Sequence, residues 1–363
     1  MRGQPIIIGP VPPYRAGIAY CTKRLAEELG AEVISFRRQF PRALYPGSSD
    51  LDETLPRFPA RFLLDVVNPW TWVRTGMLLR RERPHAVIVV WWVWVWALPY
   101  LALLAFLPRS TRVILQCHNI GDKEPAAWKR WLTDRLLRRG DVLVVHAKSE
   151  ADDARKRVPG ARIVTTFLPV HELGGAIPSR VEARRKLGVS GNVALFFGHI
   201  RPFKGLDIAL RAWRMLEREV TLLVAGEVWW RGEEEVRRLG EGLPNIRLDL
   251  RFIPDSEIAA YFAACDVVLA PYRIEAQSGV ALTAFHFARP VIATTVGGLP
   301  EIVEEGRNGM LVPPEDPAAL ARAVDAFFAR PDRESMEAQA AESARKYSWA
   351  EYGRLVGDLV SGR

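Results

Sequence analysis

Val193-Ala194-Leu195-Phe196-Phe197-Gly198-His199-Ile200-Arg201-Pro202-Phe203-Lys204-Gly205-Leu206-Asp207-Ile208-Ala209-Leu210 is the stretch that decides how this chain folds. Its five opening apolar residues read as a short buried strand, and the segment 206–216 carries apolar residues at helical spacing. Between them, a glycine-bounded loop holds Arg201 and Lys204 where the backbone amides of a helix start point outward. That combination suits a diphosphate. The loop is neither a P-loop, since G-x-x-x-x-G-K-[ST] is absent, nor a G-x-G-x-x-G dinucleotide fingerprint. A solvated loop with incidental charges is the plainer reading of the same residues.

Working outward, the pattern repeats. Downstream come strands at Thr221–Ala225, 246–250, Val267–Ala270 and Val291–Thr294, alternating with helices at 233–239, Asp255–Ala264, 280–288 and Pro317–Ala329. Upstream come strands at Ile6–Ile8, 32–36, 112–116 and Val142–Val145, with helices at 18–29 and 125–138 and a helical region at 62–81. Short apolar strands interleaved with helices imply parallel sheets covered on both faces. A break at 169–178, holding two glycines and two prolines, divides the pattern. The expected architecture is α/β, with an N-terminal domain at 1–172, a C-terminal domain at 173–342, and a tail at 343–363 read as one helix packing back on the N-terminal domain. Trp349, Tyr352 and Leu355 share a face of that tail.

Composition bounds the partners. The chain has 363 residues, a net charge of +8, 49% hydrophobic and 25% charged residues, which fits two folded domains and argues against disorder. Excess positive charge favours anionic partners. No helix-turn-helix, zinc-knuckle or RNA-binding aromatic pattern is present, so nucleic acid is not expected. Three widely spaced cysteines, Cys21, Cys117 and Cys265, suggest neither a disulfide framework nor a metal site. The first residues lack a signal-peptide core, and a cytoplasmic location is expected. One block tests that expectation: 86–107 holds 22 residues without a charge, long enough to span a bilayer. The competing reading is a buried strand followed by a core helix near 98–107, with Pro99 in its first turn.

Two further loops follow strand ends. In 271–280, Ser278 and Gly279 sit at a helix start and offer amides to a phosphate or sugar hydroxyls, with Glu275 in the same loop as an acceptor. A capped turn with a solvated glutamate explains them equally. Gly297 and Gly298 permit close backbone approach before Glu301, or simply a tight turn.

In order and spacing, these motifs resemble the C-terminal domain of the retaining GT-B glycosyltransferases of family 4, also called group 1. The matching strings are F-F-G-H-I-R-P-F-K-G at 196–205, V-A-G-E at 224–227, F-I-P-D-S-E-I at 252–258, C-D-V-V-L-A-P-Y at 265–272, A-R-P-V-I-A-T-T-V-G-G-L-P-E-I-V at 288–303 and E-G-R-N-G-M-L-V-P-P-E-D at 305–316. The N-terminal half is similar in its glycine loop at 10–17, in Trp91-Trp92 after a strand, and in His118-Asn119 followed by Glu124, although Lys123 replaces a histidine of that pattern.

The resemblance implies two Rossmann-like doubly wound domains facing a cleft, with a nucleotide-diphosphate sugar bound by the C-terminal one. Arg201 and Lys204 would hold the diphosphate and stabilise the leaving charge. Glu275 matches the first of the family's two paired glutamates, near the donor sugar. The second, which holds the ribose, falls on Thr283. Gln277-Ser278-Gly279 resembles a subgroup that manages without it. Further donor-side positions are implied at Gly17, Gly198, Glu227, Phe252, Ile253 and Val280. His118 matches a histidine near the reacting sugar, where imidazole could orient a hydroxyl or support proton transfer; a strand-end histidine satisfied by backbone is the plainer alternative.

No cofactor or metal is expected, because Arg and Lys neutralise charge in this fold. Asp50-Leu51-Asp52, similar to a metal motif of the other glycosyltransferase fold, lies in a polar loop and is set aside, and Asp152-Asp153 reads as a solvated helix face. The expected activity is retaining transfer of a hexose to a glycan or lipid-linked acceptor. A nucleotide-sugar 2-epimerase on the same fold and a non-catalytic donor-binding subunit are the competing readings. Arginines and tryptophans over 57–83 suit either contact with the inner face of a membrane or a packed helix with solvated arginines.

Overall fold

The computed structural model describes residues 4–15, 17–41, 45, 49–121, 126–172, 176–229, 232–243, 245–274 and 277–362. Two compact units emerge: Met1–Pro169 with Trp349–Arg363, and Val170–Ser348.

The first unit contains β1 (Ile6–Ile8), β2 (Glu32–Arg38), β3 (Arg61–Asp65), β4 (Ala86–Trp91), β5 (Arg112–Cys117), β6 (Val142–Val145) and β7 (Ile163–Thr165). They form one parallel sheet in the order β3-β2-β1-β4-β5-β6-β7. Every residue of β4 is buried, as expected of a central parallel strand covered on both faces. The apolar block at 86–107 is therefore strand β4, a 3₁₀ turn at Trp94–Trp96 and the helix Ala97–Leu104. Among the described residues, no helix is long and apolar enough to cross a membrane.

Helices cover both faces. Pro69–Glu82, Ala97–Leu104 and Ala127–Leu137 lie over one face, around Trp72, Leu79, Trp96, Tyr100, Leu103 and Leu136. On the other, Gly17–Leu29 and Trp349–Ser361 pack Cys21, Leu25, Trp349, Tyr352 and Val356 against Ile7, Ile88 and Ile114. The Tyr352 hydroxyl accepts a 2.9 Å hydrogen bond from Gln116 of β5.

The second unit contains β8 (Val193–Phe197), β9 (Thr221–Ala225), β10 (Ile246–Asp249), β11 (Val267–Ala270), β12 (Val291–Thr294) and β13 (Gly309–Val312). Its sheet is parallel, in the order β10-β9-β8-β11-β12-β13. Asp266 fixes the start of β11. It accepts from the Val193 amide at 2.8 Å and holds Arg184 at 2.9 Å through both carboxylate oxygens.

The structure corrects two expected elements. The helical region 62–81 is strand β3 followed by the helix Pro69–Glu82. A short apolar run has no periodicity of its own, and here β2 recruits it as an edge strand. The Asn68 side chain caps the helix by accepting from the Trp70 amide, with Pro69 at its first position. The tail is likewise two helices: Arg333–Lys346 ends at Tyr347, and Trp349–Ser361 begins afresh in the other unit.

Trp349 is 1% exposed, with Tyr20 edge-on at 5.9 Å and the Arg24 guanidinium 5.7 Å from its ring centre. Trp349→Ala is expected to lower the stability of the first unit by about 3–5 kcal/mol, the range for emptying a large aromatic site. Urea unfolding of the two proteins checks this.

Candidate functional site

Strand order locates the site. In the second sheet the connections run outward in opposite directions from β8 and β11, and such a reversal opens a crevice at the carboxyl ends of the strands. The loops leaving β8 and β11 are 198–205 and 271–278, the two that carry the basic and Ser-Gly motifs. The first sheet reverses between β1 and β4, which places residues 9–15, Gly17 and Trp92 at its corresponding edge.

The loop after β8 is fixed by backbone. Gly198 (φ 101°) donates to Ala225 at 3.0 Å and Ile200 donates to Glu227 at 2.9 Å, while Trp229 donates to Ile200 at 3.1 Å. A side chain on Gly226 would stand 2.0 Å from the Gly198 carbonyl oxygen. The chain then turns through Pro202–Lys204 to Gly205 (φ 70°), where a Cβ would stand 2.0 Å from the carbonyl oxygen of Pro271. Only glycine fits both the left-handed backbone and that approach.

Aromatic rings hold the two cations of this loop. The Arg201 guanidinium lies 3.7 Å from the centre of the Trp229 ring, and the Lys204 ammonium 3.8 Å from that of Tyr272. Trp229 is fixed in turn by its indole hydrogen bond to Glu227 at 3.2 Å, with His199 on its ring at 4.6 Å.

Arg273 ties the two loops together. Its amide donates to Phe203 at 2.8 Å and its guanidinium to the Pro202 carbonyl at 2.6 Å. It also grips both oxygens of Asp207 at 2.7 and 2.8 Å and pairs with Glu315. Burial alone would raise the Asp207 carboxyl, but the hydrogen bonds and charge of Arg273, with Arg211, hold it below the ordinary range. The hydrogen bond to Asp207 raises Arg273 further.

The other expected donor-side residues sit as follows. Ser278 is buried and caps the helix Gly279–His286 by accepting from the Ala281 amide at 3.2 Å. Gln277 precedes it. Val280 in the first turn borders Gly198, whose Cβ would stand 3.4 Å from it. The Thr283 hydroxyl donates to the Gly279 carbonyl at 2.8 Å, which commits it within its own helix. Phe252 and the buried Ile253 follow β10 at the sheet edge. Glu275 lies outside the described residues, as do Lys123 and Glu124. Gly17 opens the helix Gly17–Leu29 with open space where a Cβ would stand. The structure thus brings together Gly198, Arg201, Lys204, Glu227, Ser278, Gly279 and Val280 around one edge. Sequence reasoning missed Trp229 and the bracing role of Arg273; the only local signal was an aromatic or basic residue just after each strand.

In the first unit, His118 leaves β5 with its amide donating to Trp91 at 2.8 Å. Its loop is braced by Asn119 donating to the Trp92 carbonyl at 2.6 Å, Glu150 accepting from the Ile120 amide at 3.2 Å, and Arg157 donating to the Ile120 carbonyl at 2.5 Å. The His118 ring is half-buried, 5.3 Å from the ring of His146. Its Nε2 is buried and has no hydrogen-bond partner among the described residues. Burial, with His146 as a second cause, pushes its pKa down to about 3, and burial pushes His146 down to about 4 against its bond to the Phe167 carbonyl. Near neutral pH His118 therefore presents an uncharged ring with an uncommitted nitrogen.

Two parallel sheets of this topology, each with a reversal of strand order, define a GT-B protein. Residues 16–170 match the family described as Glycosyltransferase Family 4 and residues 191–330 match Glycosyl transferases group 1, and the chain belongs to these glycosyltransferases. It is 34% identical over 233 residues to the D-inositol 3-phosphate glycosyltransferase of Saccharomonospora viridis, covering 60% of this chain and 54% of that protein. The Geodermatophilus obscurus protein of the same name is 33% identical over 288 residues, covering 73% and 61%. The chain thus spans little more than half the length of these relatives. Among solved structures it resembles sucrose-phosphate synthase of Thermosynechococcus elongatus (TM-score 0.78, 19% identity, 99% of this chain and 98% of that chain). It also resembles Anabaena HepE in complex with UDP and glucose (TM-score 0.77, 17% identity, 99% and 100%).

The histidine pair makes acid stability testable. As pH falls past 6.5, the unfolded chain protonates both rings while the folded unit keeps them neutral to about 3 and about 4. The unfolded state then binds more protons, so the stability present above that window falls as pH falls through it. Urea unfolding of the first unit from pH 7 to 4 is expected to show this decline, and His146→Gln to make it shallower.

Proposed function

We propose that the protein is a retaining glycosyltransferase that moves a hexose from a nucleotide-diphosphate sugar to a glycan or lipid-linked acceptor. One observation carries the reading: Arg201 and Lys204 project from a single rigid loop at the switch point of the second sheet, beside the capped start of the helix Gly279–His286. Two fixed cations next to helix-start amides suit the charge of a diphosphate. The complexes of HepE with UDP and with UDP-glucose support a donor of this kind.

In the proposed step the bond between the sugar's anomeric carbon and the diphosphate oxygen breaks. An acceptor hydroxyl bonds to that carbon on the same face, and its proton passes to the leaving diphosphate. Arg201 and Lys204 oppose the charge that develops on the leaving group, and their preorganisation by Trp229, Tyr272 and Arg273 means little rearrangement during reaction. No metal or cofactor enters the step. Glu275 is assigned to the donor sugar, and Gln277, Ser278, Gly279 and Val280 to the donor's phosphate and sugar side. Gly17, Gly198, Glu227, Phe252 and Ile253 complete the donor contacts. Since Thr283 bonds to its own helix, ribose recognition is assigned elsewhere in the site. His118, with its neutral ring, is assigned to a sugar hydroxyl. Cys21, Cys117 and Cys265 are all free and buried, which suits a reducing cytoplasm.

The test incubates the protein with a panel of nucleotide-diphosphate sugars and two acceptor types, a phosphorylated polyol suggested by the relatives' name and a lipid-linked saccharide. Release of nucleoside diphosphate and a product that keeps the donor's anomeric configuration are expected. Arg201→Ala and Lys204→Ala should each lower kcat/KM by roughly 10²–10³. An epimerised donor without diphosphate release would replace the reading with the isomerase, and failure to bind any nucleoside diphosphate would end it.

A further inference from the structure

Three helices of the first unit lie side by side over one face of its sheet: Pro69–Glu82, Ala97–Leu104 and Ala127–Leu137. Each returns the chain between parallel strands, so each begins at the carboxyl edge of the sheet and ends at the amino edge. Their outward faces are unusual for a protein surface. On the first, Trp70, Arg74, Met77 and Arg81 fall at helical spacing and are all exposed. On the third, Trp128, Trp131, Arg135 and Arg138 do the same.

The large apolar side chains gather at the starts of the helices. Trp70 is 75% exposed, Leu98 53%, Trp128 55% and Trp131 56%. Single exposed hydrophobics are ordinary, but a cluster across adjacent elements marks a contact surface. The cations lie behind it, toward the amino edge: Arg80, Arg81, Arg83, Arg135, Arg138 and Arg139. Acidic residues are nearly absent from these helices. Glu82 is taken by Arg61 and Asp134 by Arg157, and among the described residues no carboxylate pairs with Arg74, Arg80 or Arg81. A groove of about 610 Å³ beside the first helix combines Arg37, Arg74, Arg80 and Arg81 with Met77 and Phe106.

We propose that this helix layer docks on an anionic lipid bilayer, with its tryptophans at headgroup depth and its arginines on the lipid phosphates. Charge selects the occupant, because a nearly acid-free basic face is complementary to anionic lipid. Tryptophan selects depth, because its amphipathic ring suits the water–lipid boundary. The groove has the two chemistries of a phospholipid, guanidinium for the phosphate and apolar side chains for the first methylenes. The tryptophan end adjoins the carboxyl edge that carries His118, so docking of the helix face brings that edge close to the bilayer surface. An acceptor whose lipid stays in the bilayer would reach it directly, a consequence that rests on the transferase reading.

Co-sedimentation with phosphatidylcholine vesicles, with or without phosphatidylglycerol, tests the surface, and since it needs neither donor nor acceptor it is independent of the transfer reaction. The full chain is expected to bind only the anionic vesicles and to release as salt rises. Arg74→Gln and Arg81→Gln should each weaken partitioning roughly fivefold, and the double variant Trp70→Ser with Trp131→Ser should blue-shift less on binding and bind more weakly. These positions are exposed, and unchanged thermal unfolding of each variant shows that folding is intact. Indifference of the wild type to anionic vesicles overturns the proposal, as does undiminished binding by all the variants. Self-association through the tryptophans, or binding of nucleic acid, without vesicle binding overturns it in favour of a second copy or a polyanion.

Discussion

The carbonyl oxygen of Pro271 occupies the place where residue 205 would carry a side chain. That close approach brings the loop after β8 against the loop after β11, and the donor side of the second unit is arranged around it. Gly205 accepts a left-handed backbone there, Lys204 reaches Tyr272 because of it, and Arg273 closes the same seam from the other side. Gly226 against Gly198 repeats the device one strand away. Two contacts that exclude side chains thus determine where two positive charges stand.

The charges in the seam do different work. Arg273 is saturated by Asp207, Glu315 and a backbone carbonyl, and bidentate charge-assisted bonds of this kind fix geometry as well as add energy. Arg201 and Lys204 instead lie on aromatic faces. The rings orient the two cations through their faces, 3.7 Å from Trp229 and 3.8 Å from Tyr272. The first unit applies a parallel economy to His118, whose loop is braced by three hydrogen bonds at Asn119 and Ile120 while its Nε2 is left uncommitted among the described residues.

Much of this was legible from residues alone where an element is apolar and bounded by turn residues. Val267–Ala270 and Asp255–Ala264 have the limits expected of them, and Arg201 and Lys204 stand at the strand-to-helix turn where the spacing put them. What escaped is short or charged. Ile163–Thr165 and Gly309–Val312 are brief strands defined by their neighbours, and Arg180–Leu187 is a helix with hardly an apolar face, started by the Ser179–Glu182 capping box. Arg61–Asp65 looks like the start of a helix until β2 pairs with it. In the site, the bracing of Asp207 by Arg273 spans 66 positions, and no local pattern reports a bond of that range.

The first unit is built from both ends of the chain. Trp349, Tyr352 and Val356 complete a core whose other members, Ile7, Leu25, Ile88 and Ile114, lie more than two hundred residues earlier. During synthesis on the ribosome those early residues emerge with one side of their sheet bare, and they stay so while all of the second unit is made. The half that begins first therefore finishes last, and its unfinished sheet is the stage at which a chaperone would find apolar surface to hold.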